Sequence, residues 1–177
     1  FTIASTSSGF INQLELQSTT GGGFSVSWRS GGLGNFTNLA TFDASGAAIG
    51  TPVALSDNYL YPEILSDGTL LLRDQSGAAN VIRYSATGVQ LGAAIALANL
   101  SVTNTFDVTT LSDGRHLVTW EEYVTSSVDV RGRIYNSNWT PAGATFTVNS
   151  DLALDQNEIR AEALATGGFV AVWTSGS

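Results

Sequence analysis

The residues of this chain that could carry chemistry are few. His116 is the only histidine and cysteine is absent, which excludes thiolate nucleophiles, disulfides and metal sites built from several histidines. A Ser-His-Asp triad lacks the support of a Gly-x-Ser-x-Gly nucleophile elbow. His116 lies four residues before Trp120, the place that a phenylalanine holds before two other tryptophans, so we interpret it as a strand residue. The sequence therefore predicts a protein that is not an enzyme, with no catalytic residues.

Acidic residues and a tryptophan offer a different kind of site. Glu121 and Glu122 open what the sequence predicts to be the longest loop, and Asp129 lies further along it. Loops on a rigid scaffold often carry binding residues, so this loop could bind a cation or a sugar. Trp139 falls in a turn outside the repeat pattern described below, and we expect it to be the exposed tryptophan. These four residues are the candidate ligand-binding set, and a solvated loop is the competing interpretation of the carboxylates.

The charge balance limits the partners. Fifteen acidic residues stand against seven basic ones, which gives a formal net charge of −8. Such a surface repels phosphate backbones and anionic membranes, so nucleic acid is not an expected partner. It favours cations, and calcium is the cofactor that the composition suggests, although there is no Asp-x-Asp-x-Asp run of the EF-hand type. No apolar run approaches the ~18 residues of a membrane helix, so no membrane insertion is expected.

A glycine turn followed by a short apolar strand occurs four times. The second glycine of each turn lies at position 23, 68, 114 or 168, hence 45, 46 and 54 residues apart. Three of the four strands end on tryptophan, and the other one has Arg73 there. We expect the tryptophans to pack between units. The predicted structural repeat residues are Gly23, Gly68, Gly114, Gly168, Trp28, Trp120 and Trp173.

A second motif lies between these strands. It is an aromatic residue followed by a tight turn and then a short strand. The start of the chain, Phe1–Ser5, matches Phe146–Ser150, which lies at the end of one such motif. The three turns are Phe42–Gly46, Tyr84–Gly88 and Tyr135–Trp139, and the short strands that follow them are 53–55, 95–97 and 146–148.

Together the two motifs predict an all-β fold. Asp-Gly and Gly-Gly pairs favour hairpins, and no segment has helical periodicity. Four antiparallel strands in roughly 45 residues is the size of a β-propeller blade, with a β-sandwich or a stacked β-array as alternatives. We interpret residues 1–177 as one repeat region with units at about 1–50, 51–92, 93–143 and 144–177. The last unit is incomplete, so this piece is not expected to close a ring alone.

The combined pattern resembles tandem repeats of large secreted bacterial proteins of the repeats-in-toxin type, the hemolysin-type calcium-binding exoproteins and adhesins. The pattern is Leu-Ser-Asp-Gly or Ala-Thr-Gly-Gly, an apolar strand ending in Trp, then Phe-Asp-Ala-Ser-Gly-x-x-x-Gly and Phe-x-Val-Asn. Leu164–Trp173 is the nearest match, and Arg131–Tyr135 is similar to the strand that follows. The chain departs from the pattern at Arg73 and Trp139, and it lacks the glycine-aspartate nonapeptides that bind calcium in such proteins.

The resemblance implies a secreted, extracellular or bacterial cell-surface location and a structural or adhesive role. The expected partners are further repeats of the same chain, other copies of it, or glycans. A lectin-like propeller that binds carbohydrate is the alternative function. A glycoside hydrolase is a weaker one, since Ser112-Asp113-Gly114 and Thr119-Trp120 resemble the aspartate box of sialidase propellers only with the wrong spacing.

Overall fold

The structure is a computed structural model that describes residues 10–31, 36–55, 59–74, 80–96, 102–124, 127–151 and 153–176. The segment Phe1–Ser5, which the sequence matches to Phe146–Ser150, lies outside these residues. All regular secondary structure in the described residues is β-strand. The strands are β1 Phe10–Ser18, β2 Phe24–Gly31, β3 Phe36–Phe42, β4 Val53–Leu55, β5 Tyr59–Ile64, β6 Leu70–Asp74, β7 Asn80–Tyr84, β8 Ile95–Ala96, β9 Val102–Thr110, β10 His116–Val124, β11 Ser127–Tyr135, β12 Phe146–Thr147, β13 Gln156–Ala163 and β14 Phe169–Ser175.

The strands form antiparallel sheets in which sequence neighbours pair. Repeat 1 (β1–β4), repeat 2 (β5–β8) and repeat 3 (β9–β12) are four-stranded, and repeat 4 consists of β13 and β14 within the described residues. The predicted all-β fold of four-stranded antiparallel repeats is confirmed. Each short closing strand pairs with the third strand of its own sheet. The sheets therefore span 10–55, 59–96 and 102–147, and the short strand comes last in each of them. The units at about 51–92, 93–143 and 144–177 that the sequence predicts place this short strand first.

The first turn of every repeat has the same backbone hydrogen bonds. In repeat 2, Leu65 donates its N–H to the carbonyl of Thr69, and Gly68 donates to the carbonyl of Leu65. The glycine at that place has a positive φ, which costs glycine little and other residues more. The equivalent turn glycines are Gly22, Gly68, Gly114 and Gly167, with φ of 85°, 82°, 81° and 95°.

This equivalence corrects the sequence alignment by one residue in two repeats. The turn glycines at 22, 68, 114 and 167 are 46, 46 and 53 residues apart, and Gly23 and Gly168 follow them. Counting six residues on from each glycine reaches Trp28, Asp74, Trp120 and Trp173. Asp74, and not Arg73, thus occupies the tryptophan position of repeat 2. Two-glycine and three-glycine turns hide this offset in the sequence, because any of their glycines could adopt the positive φ.

A bulge interrupts the first strand of every repeat. In β1, Asn12 pairs with Arg29 and Glu15 pairs with Ser27, so β1 has one more residue than β2 between these two pairs. Repeat 4 has the same irregularity at the same distance from its turn glycine, between Asn157 and Arg160. The other two bulges lie between Leu60 and Glu63 in β5 and in β9 opposite Trp120–Glu122. A bulge bends its strand and frees main-chain groups from the ladder.

Residues 1–97 form one compact unit, which holds repeats 1 and 2. Strand β5 packs against β1, β2 and β3. Between the two sheets lies an apolar cluster of Leu39, Leu55, Ile64, Leu70, Leu72, Ile82 and Tyr84. A second cluster, on alternate residues of the first sheet, contains Phe24, Val26, Trp28, Ala40 and Phe42. Repeats 1 and 2 are therefore held together mainly by aliphatic burial.

Residues 98–177 form the second unit, which holds repeats 3 and 4. Strand β13 packs against β9, β10 and β11. Ile159 and Gln156 of β13 are fully buried, and the rings of Phe146 and Phe169 lie 6.4 Å apart. In both units, then, the first strand of the later repeat covers a face of the earlier sheet.

Replacing Gly23 by alanine is expected to destabilise the first unit by about 2–3 kcal/mol. A Cβ atom there would lie 2.2 Å from the carbonyl oxygen of Phe42, and the backbone has to move to relieve the clash. Gly143→Ala is the matched control, since its Cβ would meet nothing within 4 Å and its φ is not positive. Denaturant unfolding of both variants checks this, and equal effects of the two substitutions would contradict the steric explanation.

Candidate functional site

The predicted loop after Trp120 is a hairpin, which corrects the sequence interpretation. Strand β10 continues to Val124, β11 begins at Ser127, and only residues 125 and 126 separate the two. Glu122 pairs directly with Asp129, and Glu121 pairs with Val130. The three candidate carboxylates are therefore strand residues. The signal for this in the sequence was the alternation of Ser127, Val128, Asp129 and Val130, which the neighbouring charges obscure.

Glu122 and Asp129 share one face of the sheet and both contact Arg131. The Nε atom of Arg131 donates to Oε2 of Glu122 at 2.7 Å, and its Nη2 lies 3.7 Å from Oδ2 of Asp129. Arg131 also donates to the hydroxyl of Thr147 on the neighbouring strand β12. The Asp129 side chain is nearly buried. The guanidinium thus compensates two carboxylates whose burial would otherwise be costly.

Asn149 completes the surroundings of Asp129. Its Oδ1 accepts the N–H of Val130 at 2.8 Å, and its Nδ2 donates to Oδ1 of Asp129 at 3.1 Å. The same Nδ2 donates to the carbonyl of Asp151 at 2.6 Å. This network ties the segment after β12 to β11. Asp129 therefore stabilises the sheet and has both of its oxygens engaged.

Glu121 points to the opposite face and contacts the next repeat. It is buried, and its Oε1 accepts the N–H of Glu158 at 2.6 Å. Glu158 lies in the bulge of β13 with a φ of 58°, where a residue has no ladder partner. Asp107 acts in the same way, since its Oδ2 accepts the N–H of Ala161 at 2.7 Å. Two carboxylates of repeat 3 thus bind main-chain donors of repeat 4.

A third carboxylate makes the reverse contact. Asp155, which precedes β13, accepts the N–H of Val128 on β11 through Oδ1 at 2.9 Å. Sequence reasoning missed Asp107, Asp155 and Asn149. For Asp107 a signal existed, because it is the one charged residue in a strand that otherwise holds threonines, apolar residues and an asparagine, Val102–Thr110. Such a lone charge in a strand indicates a specific buried partner.

Burial alters the acid–base behaviour of Asp107. Removal from water raises the pKa of its carboxyl above the ordinary value of 3.8. The hydrogen bond from Ala161 and the charge of Arg160 oppose this rise, and the charge of Glu162 adds to it. Asp107 therefore binds a proton more tightly in the folded protein than in the unfolded chain.

Trp139 is buried, which overturns the expectation that it is the exposed tryptophan. Only 6% of its surface is accessible. It has a φ of 66° and occupies the turn position that Gly46 and Gly88 hold in repeats 1 and 2. Its ring stacks on His116 with centroids 4.2 Å apart, and Tyr135 packs against it at 6.3 Å. Trp139 is thus a packing residue of repeat 3.

The structure does not bring the four candidate ligand-binding residues into one site. Trp139 lies against His116 at one end of β10, whereas Glu121 and Glu122 lie five and six residues further along. At the rise of an extended strand this separation is about 17–20 Å. Glu122 and Asp129 are brought together by Arg131, and Glu121 faces away from them.

The predicted structural tryptophans have different environments. Trp28 is buried with Val26, Ala40 and Phe42, and Trp120 is fully buried. Trp173 is half-buried, and together with Ala171 and Val172 it lines a shallow depression on β14. Among the described residues, no three His, Asp or Glu side chains are grouped so that they could hold a metal ion. In the same part of the chain, no helix has the length and apolar character required to cross a membrane.

Comparisons with known proteins extend the description of the fold. No protein-family model and no curated protein matches the chain. Among solved structures, the chain is similar to the crystal structure of a protein of unknown function from Bacteroides caccae, with a TM-score of 0.52 and 12% sequence identity. The match covers 89% of this chain and 54% of that one, so this chain spans about half of its length. At this identity the similarity shows a shared fold alone.

Replacing Trp139 by glycine is expected to destabilise the protein by about 2–3 kcal/mol, although glycine suits the backbone better. Loss of a buried tryptophan costs about 3–5 kcal/mol, whereas relief of the left-handed φ returns about 1–2 kcal/mol. Trp139→Ala should be worse than Trp139→Gly by roughly that strain. Thermal or urea unfolding of both variants measures the balance. A glycine variant as stable as the wild type would show that the turn, and not the stack on His116, dominates.

The stabilising contribution of the neutral Asp107 carboxyl should depend on pH. Because its pKa is raised in the fold, this contribution is fully present below pH 3.8 and is lost as pH rises through the folded-state pKa. Asp107→Asn removes that titration. The stability of the wild type relative to this variant should therefore increase as pH falls from 7 to about 4.

Urea unfolding of both proteins across this pH range is the measurement. Asp113→Asn is the control, because hydrogen bonds from Arg115 lower the pKa of Asp113 at an exposed site, which gives the opposite sign. Parallel pH profiles of the wild type and Asp107→Asn would contradict the assignment.

Proposed function

We propose that this chain is a non-enzymatic structural module of a secreted or cell-surface bacterial protein, in which stacked β-sheet repeats form a scaffold and an adhesive surface. The observation that carries the proposal is that three carboxylates, two of them buried, bind main-chain groups of the neighbouring repeat. Glu121 and Asp107 accept main-chain N–H groups of β13, and Asp155 accepts one of β11. Each of these acidic side chains therefore forms a hydrogen bond between two repeats.

The chemistry of these contacts fits a scaffold. A buried carboxylate is costly unless it is hydrogen-bonded, and a bond from an N–H to an ionised oxygen is stronger than a neutral one. Each N–H lies at one position along its strand, so the two bonds from β13 are made in one register only. A slip of β13 along the sheet of repeat 3 would leave two carboxylates without donors. The contacts therefore specify how one repeat sits on the other.

The sequence supports the location. The resemblance to repeats of exoproteins and adhesins points to an extracellular scaffold, and a net charge of −8 is consistent with it. The lectin-like and glycoside hydrolase functions stay predictions from the sequence. Trp139 lies far from the three carboxylates, so the lectin prediction has no support from a shared site of these four residues.

Antibodies raised against the 177-residue chain are expected to label intact cells of the source organism, or to precipitate the protein from the culture medium. An antibody against a cytoplasmic protein serves as the control for cell integrity and should label only permeabilised cells. If the chain is also detected only after permeabilisation, the surface scaffold is the wrong function.

A further inference from the structure

The third strand of repeat 3 extends further past its closing strand than the third strands of repeats 1 and 2 do. Strand β4 pairs with Thr37, one residue after the start of β3, and β8 pairs with Asn80, the first residue of β7. In repeat 3, β11 begins at Ser127, whereas β12 pairs with Arg131 and Gly132. Within the described part of the chain, residues 127–130 of β11 therefore pair with a strand on one side, through β10, and not on the other.

The outward side of residues 127–130, here called the β11 edge, is of the kind that accepts a further strand. Alternate residues of an antiparallel strand direct both main-chain groups to the same side. On the β11 edge these residues are Val128 and Val130, since their N–H groups bond to residues outside β10. β-Branched side chains favour strand pairing, and an uncovered row of N–H and C=O groups is a template for another chain. The extension of β11 therefore requires protection.

Asn149 ends the ladder at Val130. The pairing of Gly132 with Phe146 places Val148 opposite Val130 when the register is continued by two residues. Val148 donates its N–H to the carbonyl of Val130 at 2.8 Å, which is one of the two bonds that such a pair exchanges. In place of the second bond, Val130 donates its own N–H to Oδ1 of Asn149 at 2.8 Å. A side chain thus replaces the main chain at this point of the edge.

Asp155 occupies the next donor towards the hairpin. Its Oδ1 accepts the N–H of Val128 at 2.9 Å, and its carbonyl accepts the N–H of Gly176 at 2.7 Å, which ties it to repeat 4. An ionised carboxylate only accepts hydrogen bonds, so it offers no donor to a further strand. The Nδ2 of Asn149 is turned inward to Asp129. Both side chains therefore satisfy a donor of β11 without continuing the ladder.

We propose that Asn149 and Asp155 protect the β11 edge against strand addition by a second copy of this chain. Two uncapped edges can pair antiparallel about a twofold axis with Val128 opposite Val128, which is an isologous contact. This register places Asp129 opposite Ser127, so no like charges meet directly. In the folded chain the two side chains occupy donors that such a pair requires. The protection is independent of where the protein resides.

Asp155→Ala uncaps Val128 at an exposed site, so the variant should still fold. At low protein concentration the Val128 amide should exchange with solvent at least about tenfold faster than in the wild type, as expected for loss of one bond to a charged acceptor. At high concentration the variant should form larger species than the wild type, measured by light scattering. In these species the Val128 amide should be protected again. Adding Asn149→Ala should lower the concentration at which they form.

Three variants serve as controls. Asp155→Asn keeps an acceptor oxygen, and Asp151→Ala removes a nearby exposed carboxylate that binds the N–H of Ala153 and not β11, so both should behave like the wild type. Gly23→Ala tests whether lower stability alone causes association. An Asp155→Ala protein that stays the size of the wild type at every concentration overturns the proposal. So does association that leaves the Val128 amide unprotected, or association of Gly23→Ala to the same extent.

Discussion

Within each unit, the structure depends on how the first strand of the later repeat, β5 or β13, is accommodated between its own sheet and the sheet before it. That strand is bulged in every repeat, so it is bent, and part of its main chain is released from the ladder. In repeats 2 and 4 it is also the strand that covers the preceding sheet, so released groups that are buried there need acceptors from that sheet. The earlier repeat must supply acceptors or accept a loss of roughly 1–3 kcal/mol for each donor left buried and unbonded. Repeat 3 supplies Glu121 for the bulge residue Glu158, and Asp107 binds the N–H of Ala161 just beyond the bulge.

The two units solve the same packing problem with different side chains. Repeat 1 meets repeat 2 through aliphatic residues, and the face of repeat 1 that repeat 2 covers also carries the small residues Ser25 and Ser27. Ser25 Oγ lies 3.1 Å from Oγ1 of Thr41, which donates in turn to the carbonyl of Ala86 in repeat 2. Repeat 3 instead uses carboxylates and a leucine. Since only the strand geometry is common to both, repeats can diverge in sequence while they keep the fold, as the match at 12% identity also illustrates.

Much of the fold could be predicted from the sequence, because hairpin turns have local requirements. A positive φ at Gly68 or Gly114 and the alternation of apolar residues after it are properties of a few adjacent residues. The errors arose where a decision depended on distant contacts. The glycine runs at Gly21–Gly23 and Gly167–Gly168 permit two alignments, and hydrogen bonding across the turn selects one of them.

The candidate site was predicted less well for the same reason. The carboxylates of Glu121, Glu122 and Asp129 resemble loop residues when only their charge is considered, and their partners Glu158, Arg131 and Asn149 lie 37, 9 and 20 residues away. Trp139 occupies a turn position where the other repeats have glycine. This difference from the repeat suggested an exposed functional residue. The stack on His116 explains the departure instead, because burial of a large ring outweighs the strain of a left-handed backbone.

The residues three and five positions after the turn glycine show how the contact inside each unit is specified. These two positions hold Ser25 and Ser27 in repeat 1, and Leu117 and Thr119 in repeat 3. Within the described residues, the buried hydroxyls of Ser27 and Thr119 have no hydrogen-bond partner, so their small size and not their polarity is what the contact uses. A close approach of β5 or β13 is compatible with these small residues at the cost of an unsatisfied hydroxyl.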